Sequence, residues 1–170
     1  RLMGPAGAIA VVALIVMIGA GGFITYNTHG LNEWRTLVDS QRWAAEYEKQ
    51  LFGFRALTQP RITDVKLDVD IQSDVPRATV RGEYMVENKT QGPLAEVHVT
   101  WPRQMESKSF LGTLVLAELH MRSLDVQGAR MTREFPDLNY QIFTFDTPLQ
   151  PGQRAKISFD AVREQHGFRN

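Results

Sequence analysis

Residues 61–87 read RITDVKLDVDIQSDVPRATVRGEYMVE, and their period is two. Val65, Leu67, Val69 and Ile71 alternate with Lys66, Asp68, Asp70 and Gln72. After Ser73-Asp74-Val75-Pro76, a second run alternates Ala78, Val80, Gly82, Tyr84 and Val86 with Thr79, Arg81, Glu83, Met85 and Glu87. Successive side chains of a strand point to opposite faces, so each run is a strand with one apolar and one polar face. The tetrapeptide between them is turn chemistry. Together they predict an antiparallel sheet that is wet on one side.

The alternation recurs downstream. Beyond a turn at Asn88-Lys89-Thr90-Gln91-Gly92-Pro93, Ala95, Val97, Val99 and Trp101 alternate with Glu96, His98 and Thr100. The stretch 114–126 leaves a helical start open, but Val115, Ala117, Leu119 and Met121 alternate before Leu124 and Val126. Tyr140 to Phe145, and then Ala155, Ile157, Phe159 and Ala161, add two strands around Thr147-Pro148-Leu149-Gln150-Pro151-Gly152. Six or seven short strands at this spacing predict a mainly β fold over residues 60–170, an antiparallel β-sandwich or an open, twisted pair of sheets.

Upstream the period lengthens to that of a helix. Between Glu33 and Phe54, Trp34, Leu37, Val38, Ala45 and Phe52 fall near one face, with Asn32 as the expected N-cap. Gly53 and the Gln59-Pro60 step close the segment, which makes residues 27–59 a juxtamembrane helix and linker. Trp34, Trp43 and Tyr47 suit an interfacial aromatic belt or packing on the following domain; both hold if the two use different faces, and packing is preferred for Tyr47.

From Leu2 to Asn32 there is no Asp, Glu, Lys or Arg, and residues 2–26 read LMGPAGAIAVVALIVMIGAGGFITY. At 1.5 Å per residue this run reaches about 37 Å, enough for a hydrocarbon core of about 30 Å. A cleaved signal peptide is the competing reading, with Ala20-Gly21-Gly22 as its small-residue patch. Signal h-regions are shorter, and Arg1 alone stands for a basic n-region, so residues 1–26 are expected to be a retained transmembrane helix. Its glycines would let neighbouring transmembrane helices approach closely. The chain opens on Arg1 and ends at Gly167-Phe168-Arg169-Asn170 without a closing element, and is expected to be a piece of a longer protein.

Composition excludes several functions. The 170 residues carry 19 basic and 19 acidic side chains, no net charge and no cysteine. A nucleic-acid partner is therefore not expected, since neutralising phosphates needs a basic face. Thiolate metal sites, disulfides and cysteine nucleophiles are ruled out. His29, His98, His120 and His166 are scattered and none forms H-E-x-x-H. Glu118 and His120 would share a strand face, but a metal needs three or four ligands. Asp68 and Asp70 also share a face, which solvated alternation explains. There is no G-x-S-x-G elbow, P-loop or G-x-G-x-x-G. Asn88-Lys89-Thr90 matches a glycosylation acceptor, yet its position in a turn gives the asparagine a conformational reason. No catalytic, cofactor-binding or metal residue is assigned, and no cofactor is expected in this segment.

Tyr26-Asn27-Thr28, Leu31-Asn32-Glu33-Trp34-Arg35-Thr36 and Ala45-Glu46-Tyr47-Glu48-Lys49 carry a further reading, as do the run from Gln59 to Ile71, Arg81-Gly82-Glu83-Tyr84, Val86-Glu87-Asn88-Lys89-Thr90, Arg122-Ser123-Leu124-Asp125, the run from Asp146 to Gly152, and Arg169-Asn170. Together they resemble bacterial membrane proteins that fuse an ABC-type transporter permease to an aminopeptidase-N-like zinc metallopeptidase. The resemblance covers most of the chain as strand phrases rather than as a catalytic signature. It implies a membrane anchor and a non-catalytic N-terminal β domain that positions a downstream zinc-bearing peptidase domain. The zinc would belong to that domain of the parent protein. The implied partners are the lipid bilayer, the zinc-bearing domain and neighbouring transmembrane helices. The implied location is the inner (cytoplasmic) membrane, with the β domain extracytoplasmic. The alternative is a single-span membrane protein whose sandwich is a partner-binding module.

Overall fold

The computed structural model describes the backbone of residues 4–31, 33–102, 104–109 and 112–165, and their side chains except at 33, 35, 104–109 and 112–116. Helix α1 (Pro5–Thr25) opens on Pro5, whose fixed φ suits a first helical position, and continues as a π-helical turn over Tyr26–Gly30. It is apolar all round, has no buried residue, and is long and apolar enough to cross a membrane. Where polar residues begin, Asn27 Nδ2 donates to Phe23 O at 2.9 Å and Thr28 Oγ1 to Ile24 O at 2.8 Å. Both side chains thus return their donors to carbonyls one turn back.

The predicted helix from Glu33 is corrected at its start. Glu33–Arg35 is a short strand, β1, and helix α2 runs Leu37–Leu51. Its N-cap is Thr36, not Asn32, which itself lies outside the described residues. Thr36 Oγ1 accepts from Asp39 N at 3.2 Å, while Thr36 N donates to Asp39 Oδ2 at 3.3 Å. This reciprocal box satisfies free amides at the helix end, and Glu33–Arg35 pair with a strand some eighty residues away, which local periodicity cannot register. A 3₁₀ turn, Phe52–Phe54, follows α2.

Eight further strands follow: β2 (Arg61–Gln72), β3 (Arg77–Glu87), β4 (Leu94–Thr100), β5 (Gln104–Ser109), β6 (Gly112–Val126), β7 (Ala129–Phe135), β8 (Tyr140–Leu149) and β9 (Arg154–Gln165). All pair antiparallel, in two sheets. The larger has the order β2-β3-β9-β6. Residues Thr113–Val115 of β6 pair with both β1 and β5, and Ala117 and Glu118 with both β5 and β9. A strand has two edges, so β1 and β9 lie end to end along one edge of β6 and β5 takes the other. The smaller sheet has the order β4-β8-β7. The predicted fold class is therefore observed: an N-terminal apolar helix, a second helix, and two packed antiparallel sheets. β1, β5 and β7 were not legible by alternation, and 114–126 is strand throughout.

The sheets meet through Val86, Ala155, Ile157 and Val126 of the larger, against Val97, Phe143, Phe145 and Leu149 of the smaller. The first half of β8 is covered on both faces, because Tyr140 and Ile142 on its other side pack under Leu51 and Leu138, with Tyr47, Phe54 and Phe135. Helix α2 is thus a third layer, and Trp43 Nε1 reaches Asp137 O at 3.4 Å. Tyr47 packs on the domain as expected. The face of Leu37, Val38, Ala45 and Phe52 is exposed. The packing stripe of α2 is instead the one bearing Tyr47 and Leu51, because those residues face β8.

Candidate functional site

The inner face of the larger sheet is wider than the three strands that cover it. Its β2 and β3 register sets Val65 opposite Tyr84, Leu67 opposite Gly82, Val69 opposite Val80 and Ile71 opposite Ala78. These rows continue the apolar face across β9 through Ile157, Phe159 and Ala161. On the smaller sheet β4 is an edge, and nothing among the described residues stands over β2. Val65, Leu67, Val69 and Ile71 are consequently 58%, 49%, 50% and 74% exposed. The alternation correctly marked this face as apolar; burial did not follow, because the covering layer stops short.

A groove of about 430 Å³ runs where the cover ends. Its floor is Leu67, Val80, Tyr84, Phe159 and Ala161, with Leu119, Met121 and Leu124 of β6, and its roof is Val97, Val99, Trp101 and Pro102. Gln59 and Pro60 form one end, and Gln59 Oε1 accepts the His98 amide at 2.9 Å, fastening the linker to β4. The lining is mainly apolar, with Gln59, His98 and Thr100 as its polar members.

On the other side of β4, His98 is nearly fully buried. Its Nδ1 lies 2.7 Å from the Tyr140 hydroxyl, and Nε2 lies 3.4 Å from Glu96 Oε2 without making a hydrogen bond. Phe54 packs edge-on to His98 (5.0 Å) and stacks on Tyr140 (6.0 Å). Burial, and secondarily Tyr47, hold the Tyr140 hydroxyl above its usual titration range. The row joins the α2 layer to β4 and β8 under a cover of aromatic rings. It provides a polar fastening; His98 also borders the groove, and Tyr140 borders a second cleft of about 290 Å³ beside Trp101 and Asn139.

The other residues singled out by sequence fall as follows. Glu118 and His120 do share a face of β6, with Nε2 3.3 Å from Glu118 Oε2. Among the described residues no group of three or more His, Asp or Glu is placed to hold a metal ion. Two donors already paired with each other do not fit zinc, which takes at least three protein ligands. Asp68 and Asp70 lie on the solvent face of β2, across from Arg81 and Thr79. His29 sits in the π-helical turn after α1, and His166 lies outside the described residues. Asn88 is fully buried, its Nδ2 donating to Gly92 O (2.8 Å) and Leu149 O (2.7 Å), so its role is to close the turn. The groove and the His98–Tyr140 contact were missed by sequence reasoning. The contact joins residues 42 apart, and no local signal announces it. No protein-family model matches the chain, and no curated protein matches it.

Proposed function

We propose that this chain is the membrane anchor and non-catalytic N-terminal β domain of a larger membrane-bound protein, one that joins an ABC-type permease to an aminopeptidase-like zinc metallopeptidase. α1 crosses the inner membrane and holds the sandwich on its extracytoplasmic side. The zinc-bearing domain docks on the uncovered inner face of the larger sheet, so this chain supplies a wall of the cleft rather than ligands or bases. The observation that supports this reading is the row Val65, Leu67, Val69 and Ile71, 49–74% exposed on the face that elsewhere forms the sandwich core.

The second reading is a single-span protein whose sandwich binds a separate partner. Strand β2, twelve residues long at the edge of its sheet, favours it. The coding sequence on both sides of this chain discriminates between them. H-E-x-x-H downstream with further apolar spans upstream is expected; a continuous reading frame without the zinc motif sinks the peptidase reading. Carbonate extraction of membranes carrying the chain tests the anchor separately. Retention at full length is expected, and a soluble product shortened near Ala20 excludes it.

A further inference from the structure

We propose that β2 is a receptor edge for an extended segment whose side chains alternate apolar with Lys or Arg, added to the sheet as a further strand. The inference rests on reading the uncovered face as a docking surface, and it names the chemistry of what docks.

Three independent features converge on β2. Its outer edge is unpaired among the described residues, so a row of backbone amides and carbonyls is free to ladder with an incoming strand. Between the bulge at Ile62/Asp64 and Gln72 the register with β3 is unbroken, and the strand has no proline; two common ways of blunting an edge are therefore missing along this stretch. The inward side chains Leu67, Val69 and Ile71 leave apolar surface beside that edge, continuous with the groove. A strand laid along β2 would set every second side chain over this surface and hide it from water.

The outward side chains set the charge of the occupant. On the solvent face stand Asp64, Lys66, Asp68 and Asp70, three acidic groups against one basic, a local balance of −2. Arg81, across from Asp68 on β3, has its Nε 3.6 Å from Asp160 Oδ2 on β9. Asp68 and Asp70 make no ion pair among the described residues. Opposite charges directly across a ladder attract and like charges repel, so a cationic alternating strand fits this edge. A second copy of β2 fits less well: pairing about Val69 sets Asp68 against Asp70 twice, and pairing about Asp68 sets Asp68 against Asp68 beside two Lys66–Asp70 pairs. A cationic strand meets an acidic group at Asp64, Asp68 and Asp70 and a like charge only at Lys66.

The test uses the full chain in a neutral maltoside detergent at low salt. The probe is a fluorescent nine-residue peptide alternating valine with lysine, and its anisotropy is measured. Saturable binding is expected. It should be abolished when alternate peptide nitrogens of the probe are methylated, and weakened about tenfold by Asp68→Lys with Asp70→Lys. That double variant should bind the corresponding valine–glutamate peptide instead. No binding, binding that survives methylation, or binding indifferent to the charge reversal overturns the proposal. An apolar dye whose fluorescence drops on Leu67→Asp reports the uncovered face by itself. Dye binding without peptide binding refutes the receptor edge and leaves the docking surface standing, whereas loss of both refutes both.

Discussion

Gly82 and Phe159 face each other across the β3–β9 ladder, and the ring of Phe159 occupies the space where a side chain at 82 would begin. A Cβ at 82 would overlap Cζ and Cε1 of that ring and stand 2.9 Å from Leu67 Cδ2. Alanine ordinarily stabilises a strand interior over glycine by about 0.5–1 kcal/mol. Overpacking costs about 1–3 kcal/mol and sets the sign here. Gly82→Ala should lower the urea midpoint, and Phe159→Leu in the same background should restore part of the loss. A stabilised Gly82→Ala variant would show that the ring moves aside freely.

Asn88 is held by four side-chain bonds. It donates to Gly92 O and Leu149 O, and its Oδ1 accepts from Thr90 N (2.9 Å) and Thr90 Oγ1 (2.7 Å). Asn88→Ala removes the side-chain donor to the buried Leu149 carbonyl, while Gly92 O keeps Thr90 Oγ1 (2.8 Å), at a cost of about 1–3 kcal/mol. Asn88→Asp, of equal size, should be no better, because it sets an acceptor against both carbonyls. Chemical denaturation of both variants checks this. For the same reason Asn88 should stay unmodified when the chain is made in a glycosylating host, read by the absence of an endoglycosidase-sensitive mass.

Tyr140→Phe removes the hydroxyl beside His98 Nδ1 and should destabilise the domain by about 1–2 kcal/mol at neutral pH. Burial raises the Tyr140 pKa in the folded state. The unfolded chain therefore ionises first, near pH 10, and stability contributed by the neutral phenol is complete below that pH. It is lost as pH rises through the folded value. Thermal melts at increasing alkaline pH should fall more steeply for the parent than for the phenylalanine variant.

At the start of α2 the sign is reversed. Hydrogen bonds from the Thr36 side chain and backbone, aided by Arg42, lower the Asp39 pKa. The ionised cap is fully in place above the unfolded pKa near 3.9 and is lost as pH falls through the lower, folded value. Helical circular dichroism should therefore decline as that acid range is crossed, and Asp39→Asn should remove the component of the decline due to α2. An unchanged acid profile in that variant would show that the box contributes nothing.

The strands over 65–71, 78–86, 95–101 and 155–161 were legible because each has one wet and one apolar face, and a period of two needs few residues to declare itself. Ala129–Phe135 was not, since Arg130-Met131-Thr132-Arg133 lacks an apolar alternation and a bulge between Met131 and Arg133 shifts its register. The start of α2 was placed four residues early because Asn32 is a good cap by type, while the Thr36-x-x-Asp39 box decides the geometry.

The sequence by itself determined that residues 5–25 are helical and apolar throughout, that antiparallel strands follow, and which side of most of them is apolar. Those properties are carried by neighbours within a few positions, where backbone period and side-chain polarity act together. Tertiary structure alone decided which apolar faces are covered. Tyr140 and Ile142 are sealed beneath a helix some ninety residues earlier, whereas Leu67 and Val69 remain open because the smaller sheet ends at β4. It also brought His98 to Tyr140 and closed Asn88 beneath Leu149. Burial depends on whether a second layer stands over a face, and that layer is built from residues too distant in the chain for any local pattern to encode.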